Sequence, residues 1–235
     1  MKNMKPKTVL VTGAARGLGL ELVRHHLQRG DHVAAWVRSS GPALEALRSA
    51  SPQLLVMQAD ISRTVQVRQA ADTLKQHWQQ LDILYNNAGI YRAADLADLA
   101  ETDLDQLSSM YEINAVGALR VAQQMLPLLH DGSVILNVSS EAGSLGQCWR
   151  KSEYAYAMSK AALNMGSLIL SRAVKEQGIR VFVVHPGYLK TEMGGPGATD
   201  DTAERAACLA QITLNPQKIP ADRIYIDHLG QPLPW

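Results

Sequence analysis

The 235-residue sequence predicts a single α/β domain, with one doubly wound parallel sheet of about seven strands and helices on both faces. Three observations carry that expectation. Short β-rich runs alternate with amphipathic segments along the whole chain. The runs are almost continuously hydrophobic, as strands covered on both faces must be. No repeat, low-complexity tract or Pro/Gly linker divides the chain, so residues 1–235 read as one domain.

The elements follow in order. TVLVTG (8–13) is the first strand, and Leu20, Val23 and Leu27 line one face of a helix that stops at Gly30. HVAAWV (32–37) and LLVMQA (54–59) are the next strands. Val67, Ala71, Leu74 and Trp78 mark a helix that Ser62 is placed to cap. LDILYNNAG (81–89) precedes a helix on which Leu104, Leu107, Tyr111 and Asn114 form an inward stripe. SVILNVSS (133–140), RVFVVHPG (180–187) and RIYID (223–227) complete the sheet, with a helix around YAMSK between the first two.

Bulk properties exclude several function classes. A net charge of +1 gives no reason to expect nucleic acid or an anionic membrane as partner. No apolar run is long enough to span a bilayer, and the N-terminus lacks a signal-peptide core. Cys148 and Cys208 have no metal-ligand spacing, and a reducing cytoplasm suits such thiols. His25 and His26 are expected on the helix surface, so no metal is expected.

In wound sheets ligands bind beyond the carboxyl ends of the strands. The first strand ends in TGAARGLG, where Gly13, Gly17 and Gly19 allow a tight turn and close backbone approach. The helix after it offers N–H groups and a positive dipole end to a pyrophosphate. Arg16 lies in this turn and Arg38 follows the second strand, where no Asp or Glu waits for a ribose hydroxyl. Guanidinium groups match a phosphate dianion, so NADP(H) is expected over NAD(H). Asp60 ends the third strand, placed either to accept from an adenine amino group or to form a helix-entry turn. Asn86 and Asn87 can tie strand ends together, while Ala88 and Gly89 leave space beside a cofactor. Asn114, a buried amide on a core stripe, is either a satisfied structural group or the holder of a water chain.

The stretch SSEAGSLGQCWRKSEYAYAMSK holds Tyr154 and Tyr156, but only Tyr156 has a lysine, Lys160, four residues on. On a helix Tyr156 and Lys160 share a face, and Tyr154 points about 200° away from Tyr156. A tyrosine titrates near pH 10, and lowering it by about three units takes roughly 4 kcal/mol. An ammonium about 4 Å away, at an effective dielectric near 20, supplies an energy of that order. Tyr156 can therefore serve as acid in carbonyl reduction and as base in reverse, with Ser140 holding the substrate oxygen and Ser139 as the less favoured serine.

Taken together, TGAARGLG, NNAG, the helix asparagine, NVSS, YAMSK and HPG resemble the short-chain dehydrogenase/reductase family, in its order and approximate spacing over nearly the whole chain. The resemblance implies a Rossmann fold and a catalytic tetrad of Asn114, Ser140, Tyr156 and Lys160. It also implies that Lys160 binds the nicotinamide ribose, and that Leu189 and Thr191 touch the nicotinamide amide. The implied cofactor wall comprises Gly13, Arg16, Gly17, Leu18, Gly19, Arg38, Asp60, Ile61, Asn87, Ala88, Gly89, Tyr156, Lys160, Pro186, Gly187, Leu189 and Thr191. AALNM, TEMGGPGA and DHLGQPLPW are similar to the sniffer-like carbonyl reductase and C-factor branch. Ser140 and Tyr156 stand farther apart than the family usually shows, so the wall formed by 147–152 does not transfer.

The resulting expectation is an NADPH-dependent reductase of a small ketone or aldehyde, reversible as alcohol oxidation. A dinucleotide-binding signalling protein is the second reading. Family resemblance also allows a homodimer or homotetramer. His185 is expected to be packed or beside the cofactor, Trp149 to contact substrate or cover the pocket, and the closing PLPW to dock on its own fold or on a neighbouring subunit.

Overall fold

The computed structural model describes residues 5–92 and 96–235. Seven strands form one sheet: β1 Thr8–Thr12, β2 His32–Val37, β3 Leu54–Gln58, β4 Ile83–Asn86, β5 Val134–Val138, β6 Arg180–His185 and β7 Tyr225–Asp227. Their order is β3-β2-β1-β4-β5-β6-β7, and every pairing is parallel. Chain direction across the sheet reverses between β1 and β4, which opens a crevice at their carboxyl ends.

Alternation within the strands explains their hydrophobic continuity. Val9, Val11, Val33 and Ala35 enter one core layer, while Leu10, Ala34 and Trp36 enter the other. The first layer is closed by α1 (Gly17–Gln28), α2 (Pro42–Ala50) and α7 (Thr202–Leu214). The second is closed by α3 (Thr64–His77), α5 (Ala118–Met125) and α6 (Tyr154–Ala173).

Three local expectations are corrected. Ser62 does not cap α3: Arg63 is the cap residue, and the Ser62 hydroxyl instead donates to Asp60 Oδ1 at 2.7 Å. The stripe ending in Asn114 is not one inward face. α4 (Gln106–Tyr111) begins after Leu104, both Leu104 and Tyr111 are exposed, and a π turn at Glu112–Gly117 changes the helical phase just before Asn114 is buried. His26 is not on the surface. It is fully buried, with Nδ1 2.7 Å from Asp31 Oδ2 and Nε2 3.0 Å from the Tyr85 hydroxyl.

Among the described residues, no helix is long and apolar enough to cross a membrane, and no group of three His, Cys, Asp or Glu is arranged to hold a metal ion.

Candidate active site

A cleft of about 1340 Å³ lies along the carboxyl ends of the strands, larger than a typical small-molecule pocket of about 300–1,000 Å³. Every expected site residue lines it except Asn114.

The glycine turn fits a phosphate-bearing ligand. Gly13 has φ +67°, and a Cβ there would lie 2.7 Å from Ala88 Cα. At Gly19 a Cβ would meet the Gly13 carbonyl oxygen at 2.4 Å, so α1 can approach the turn only without a side chain. Thr12 Oγ1 accepts from the Asn87 and Ala88 amides, and Asn87 Nδ2 donates to the Thr12 and Gly13 carbonyls. Asn86 Nδ2 donates to Asn137 Oδ1, tying β4 to β5. The paired asparagines thus join strand ends as expected. No side chain caps α1, and its first turn carries no acid, which leaves that turn's amides facing the cleft for an anion.

At the second strand end Arg38 is exposed on the cleft, beside Ser39 and Ser40, and none of these positions is acidic. Arg16 lines the cleft and pairs with Glu192 at its mouth, both side chains about three-quarters exposed. An ion pair so open to water contributes little and exchanges readily. Asp60 takes the helix-entry role, with Oδ1 accepting from the Ser62 amide and hydroxyl. Burial works to raise its carboxyl, but the Ser62 bonds and the charges of Arg38 and Arg63 hold it below its ordinary value.

Asn114 stands behind the cleft with its side-chain amide hydrogen-bonded on both sides. Its Oδ1 accepts from the Ile90 amide at 2.7 Å, and Nδ2 donates to the Ile90 carbonyl at 2.9 Å and to Ser159 Oγ at 3.0 Å. Both backbone groups of Ile90 are therefore held where the chain leaves NNAG. Gly89 leaves the space between: a Cβ there would lie 3.3 Å from Asn114 Oδ1 and 3.6 Å from Lys160 Nζ.

Tyr156 and Lys160 face the cleft from α6, one turn apart, and Tyr154 does not line it. The Tyr154 hydroxyl reaches toward the Lys151 carbonyl, at 3.5 Å. Ser140 hydrogen-bonds Tyr156, whereas Ser139 donates to Asn164 Oδ1 at 2.6 Å, so the two serines are separated by partner. Lys160 Nζ donates to the Val138 carbonyl at 2.9 Å and sits 5.6 Å from the centre of the Tyr156 ring.

The electrostatics correct one expectation. Lys160 alone does not bring the phenol toward neutrality. Burial pushes Tyr156 up to about 12, the Ser140 bond and the Arg150 charge pull down, and Glu141 and Glu153 push up. Burial also brings Lys160 down to about 8. Desolvation disfavours both charged forms, and here it outweighs their mutual attraction.

Several positioning residues went unread in the sequence. Asn164 Nδ2 donates to the Gly143 carbonyl at 3.0 Å while Oδ1 takes the Ser139 hydroxyl, bracketing Ser140. Its place four residues after Lys160, on the same helical face, was an available signal. Tyr225 Oη donates to the Ser140 carbonyl at 2.7 Å, and the Trp235 ring packs 5.3 Å from Tyr225. The closing PLPW docks on its own fold, where Ser144 Oγ donates to the Pro234 carbonyl and the Gly146 amide to that of Trp235. His185 lines the cleft, and burial lowers its imidazole. Trp149 lines it too, 71% exposed, with the Arg150 guanidinium 4.6 Å above its ring.

The sequence profile described as short chain dehydrogenase matches residues 7–201. C-signal of Myxococcus xanthus is 35% identical over 159 residues, covering 66% of this chain and 93% of that protein. The carbonyl reductase Sniffer of D. melanogaster superposes with a TM-score of 0.90 at 28% identity, over 98% of this chain and 100% of that one. An NADPH-bound carbonyl reductase from chicken fatty liver gives a TM-score of 0.89 at 28% identity, over 99% of this chain and 100% of that one.

Proposed function

The chain belongs to the short chain dehydrogenase family, a family of nicotinamide-dependent oxidoreductases, and from that premise we propose that it is an NADPH-dependent reductase of uncharged ketones or aldehydes with Tyr156 as proton donor. The observation that carries this reading is the Tyr156 phenol, bonded to Ser140 and one turn from Lys160, facing a cleft at the point where the sheet reverses.

The residues fit the cofactor. The turn around Gly13 and Gly19 is closed to any Cβ, the α1 amides are uncapped, and the β2 end offers Arg38 with no competing acid. Gly13, Gly17, Leu18 and Gly19 would hold the pyrophosphate, and Arg38 a 2′-phosphate. Asp60, Ile61, Asn87, Ala88 and Gly89 would line the adenosine and ribose side. Lys160, Pro186, Gly187, Leu189 and Thr191 would line the nicotinamide end. When bound, the reduced nicotinamide supplies the hydride.

The chain's own residues supply the proton. With its pKa near 12, Tyr156 is fully protonated at neutral pH, so the donor is loaded for reduction. Ser140 can hold the carbonyl oxygen while Tyr156 Oη gives up its proton to it, and the Lys160 ammonium, still mostly charged at pH 7, offsets the phenolate that remains. Asn114 keeps Ile90 and the NNAG segment in place behind the site. The same shift opposes oxidation, because the base form appears only at high pH. Alcohol oxidation should therefore rise steeply with pH, while reduction stays level through the neutral range.

A panel of uncharged aldehydes, ketones and quinones, followed by NADPH absorbance, tests the reading. Turnover of at least one, faster with NADPH than with NADH, supports it. Tight NADPH binding with no turnover favours a dinucleotide-binding signalling protein, the reading that similarity to C-signal supports.

A further inference from the structure

The loop between Ser140 and Tyr156 is the part of the site that the family pattern leaves undefined, and it contains a charged cluster. Arg150 Nη1 and Nη2 donate to the two carboxylate oxygens of Glu141 at 2.6 and 2.8 Å, and its Nε donates to Glu153 at 2.6 Å. The Arg150 side chain is only 11% exposed, so these bonds are far less screened than those of a surface pair. Glu141 directly follows Ser140, and Glu153 is the cap residue of α6, three positions before Tyr156.

We propose that Arg150 is a positioning residue for the reaction: its guanidinium staples the segment carrying Ser140 to the start of the helix carrying Tyr156 and so sets the spacing of the two hydroxyls. This rests on the reading of that pair as the proton-transfer site.

Two further observations support the staple. Glu153 has φ +64°, and no other side-chain-bearing residue among those described has a positive φ. A residue with a side chain persists there only when its surroundings hold it, and the Arg150 bond does so. The loop from Ser144 to Ser152 has no helix or strand of its own, so apart from the tail contacts at Ser144 and Gly146 its ends depend on side-chain bonds for their spacing.

Charge balance belongs to the same device. The groups facing Tyr156 are Ser140 and Glu141 from the end of β5, Arg150 and Glu153 from the loop, and Lys160 on its own helix, with Tyr91 edge-on at 5.2 Å. Glu141 and Glu153 both disfavour the phenolate and Arg150 favours it. Removing Arg150 therefore loosens the geometry and also leaves two carboxylates uncompensated beside the phenol.

The test compares Arg150→Met, Arg150→Lys and the double variant Arg150→Met/Glu141→Gln as full-length proteins. NADPH is titrated alone, 4-nitrobenzaldehyde serves as carbonyl probe, and 4-nitrobenzyl alcohol is used for the pH profile of oxidation. Arg150→Met is expected to lower kcat about tenfold or more with NADPH affinity within about threefold, because misplacement by an ångström is costly. Its oxidation profile should move to higher pH, and the double variant should move it back without restoring kcat. Arg150→Lys keeps the charge but not the fork, so kcat should fall with the profile unmoved; this variant carries the test if the Met variant does not fold. Crystal structures of the variants should show the Ser140–Tyr156 bond lengthened or broken. The staple is overturned if that bond is unchanged, or if kcat and profile stay within about twofold of wild type. If the wild-type protein turns over no carbonyl, the oxidoreductase reading fails instead, and the crystallographic distance alone decides the staple.

Discussion

Tyr85 and Tyr156 make an instructive pair. Both are pushed upward by burial, and both hydroxyls bond to a small hydroxyl side chain: Thr213 for Tyr85 and Ser140 for Tyr156. Tyr85 is fully buried and also meets His26, which is backed by Asp31, and it does not line the cleft. Its polar groups close on one another and bind α1 and α7 to β4. Tyr156 opens onto the cleft, with a lysine in place of a histidine–carboxylate chain. A perturbed phenol is thus no sign of chemistry by itself. Access to a ligand and a neighbouring cation separate the catalytic candidate from the structural one.

That contrast can be broken by experiment. The largest expected effect is Tyr156→Phe, which should lower kcat about a hundredfold or more, leaving NADPH affinity and Tm nearly intact. Retained turnover would erase the distinction between the two tyrosines. Next is the far end of the cleft, where Arg38→Ala should weaken NADPH about tenfold or more and NADH hardly at all. Equal losses in the two titrations would count against a 2′-phosphate site. Tyr85→Phe should do the reverse of Tyr156→Phe, costing about 1–3 kcal/mol in denaturant unfolding with kcat within about threefold.

Asp31 sharpens the structural side. Burial works to raise its carboxyl, but bonds from His26, Arg29 and the Lys7 amide outweigh burial and bring it to about 2. Because the folded value lies below the unfolded one, its contribution is present above about pH 4 and lost as pH falls toward 2, on the order of 2 kcal/mol. Asp31→Asn should flatten the wild-type decline in unfolding free energy across that window, and an unchanged slope would refute the assignment. The smallest effect is expected at Tyr154→Phe, with kcat within about twofold of wild type.

Much of this was legible in the sequence, for a physical reason. Strands covered on both faces must be hydrophobic throughout, so TVLVT, HVAAWV and RVFVVH reveal themselves, and glycine turns and Tyr-x-x-x-Lys pairs are local patterns. What escaped depends on residues far apart in the chain. His26 reads as a surface residue until Tyr85, itself bonded to Thr213, is folded against it. The pairing of Arg16 with Glu192 joins residues 176 apart in the chain. The phase shift at Glu112–Gly117 leaves no mark in apolar spacing, and Arg150 lies in a loop without periodicity, so neither the Asn114 stripe nor the staple can be read from pattern.

The most direct test of the central claim is stoichiometric. NADPH and 4-nitrobenzaldehyde are mixed with the wild-type protein and with Tyr156→Phe, and cofactor loss and alcohol formation are measured together. The account predicts one alcohol formed per NADPH consumed by the wild type and almost none by the variant. Equal rates in the two proteins, or cofactor bound with no alcohol produced by either, would contradict it.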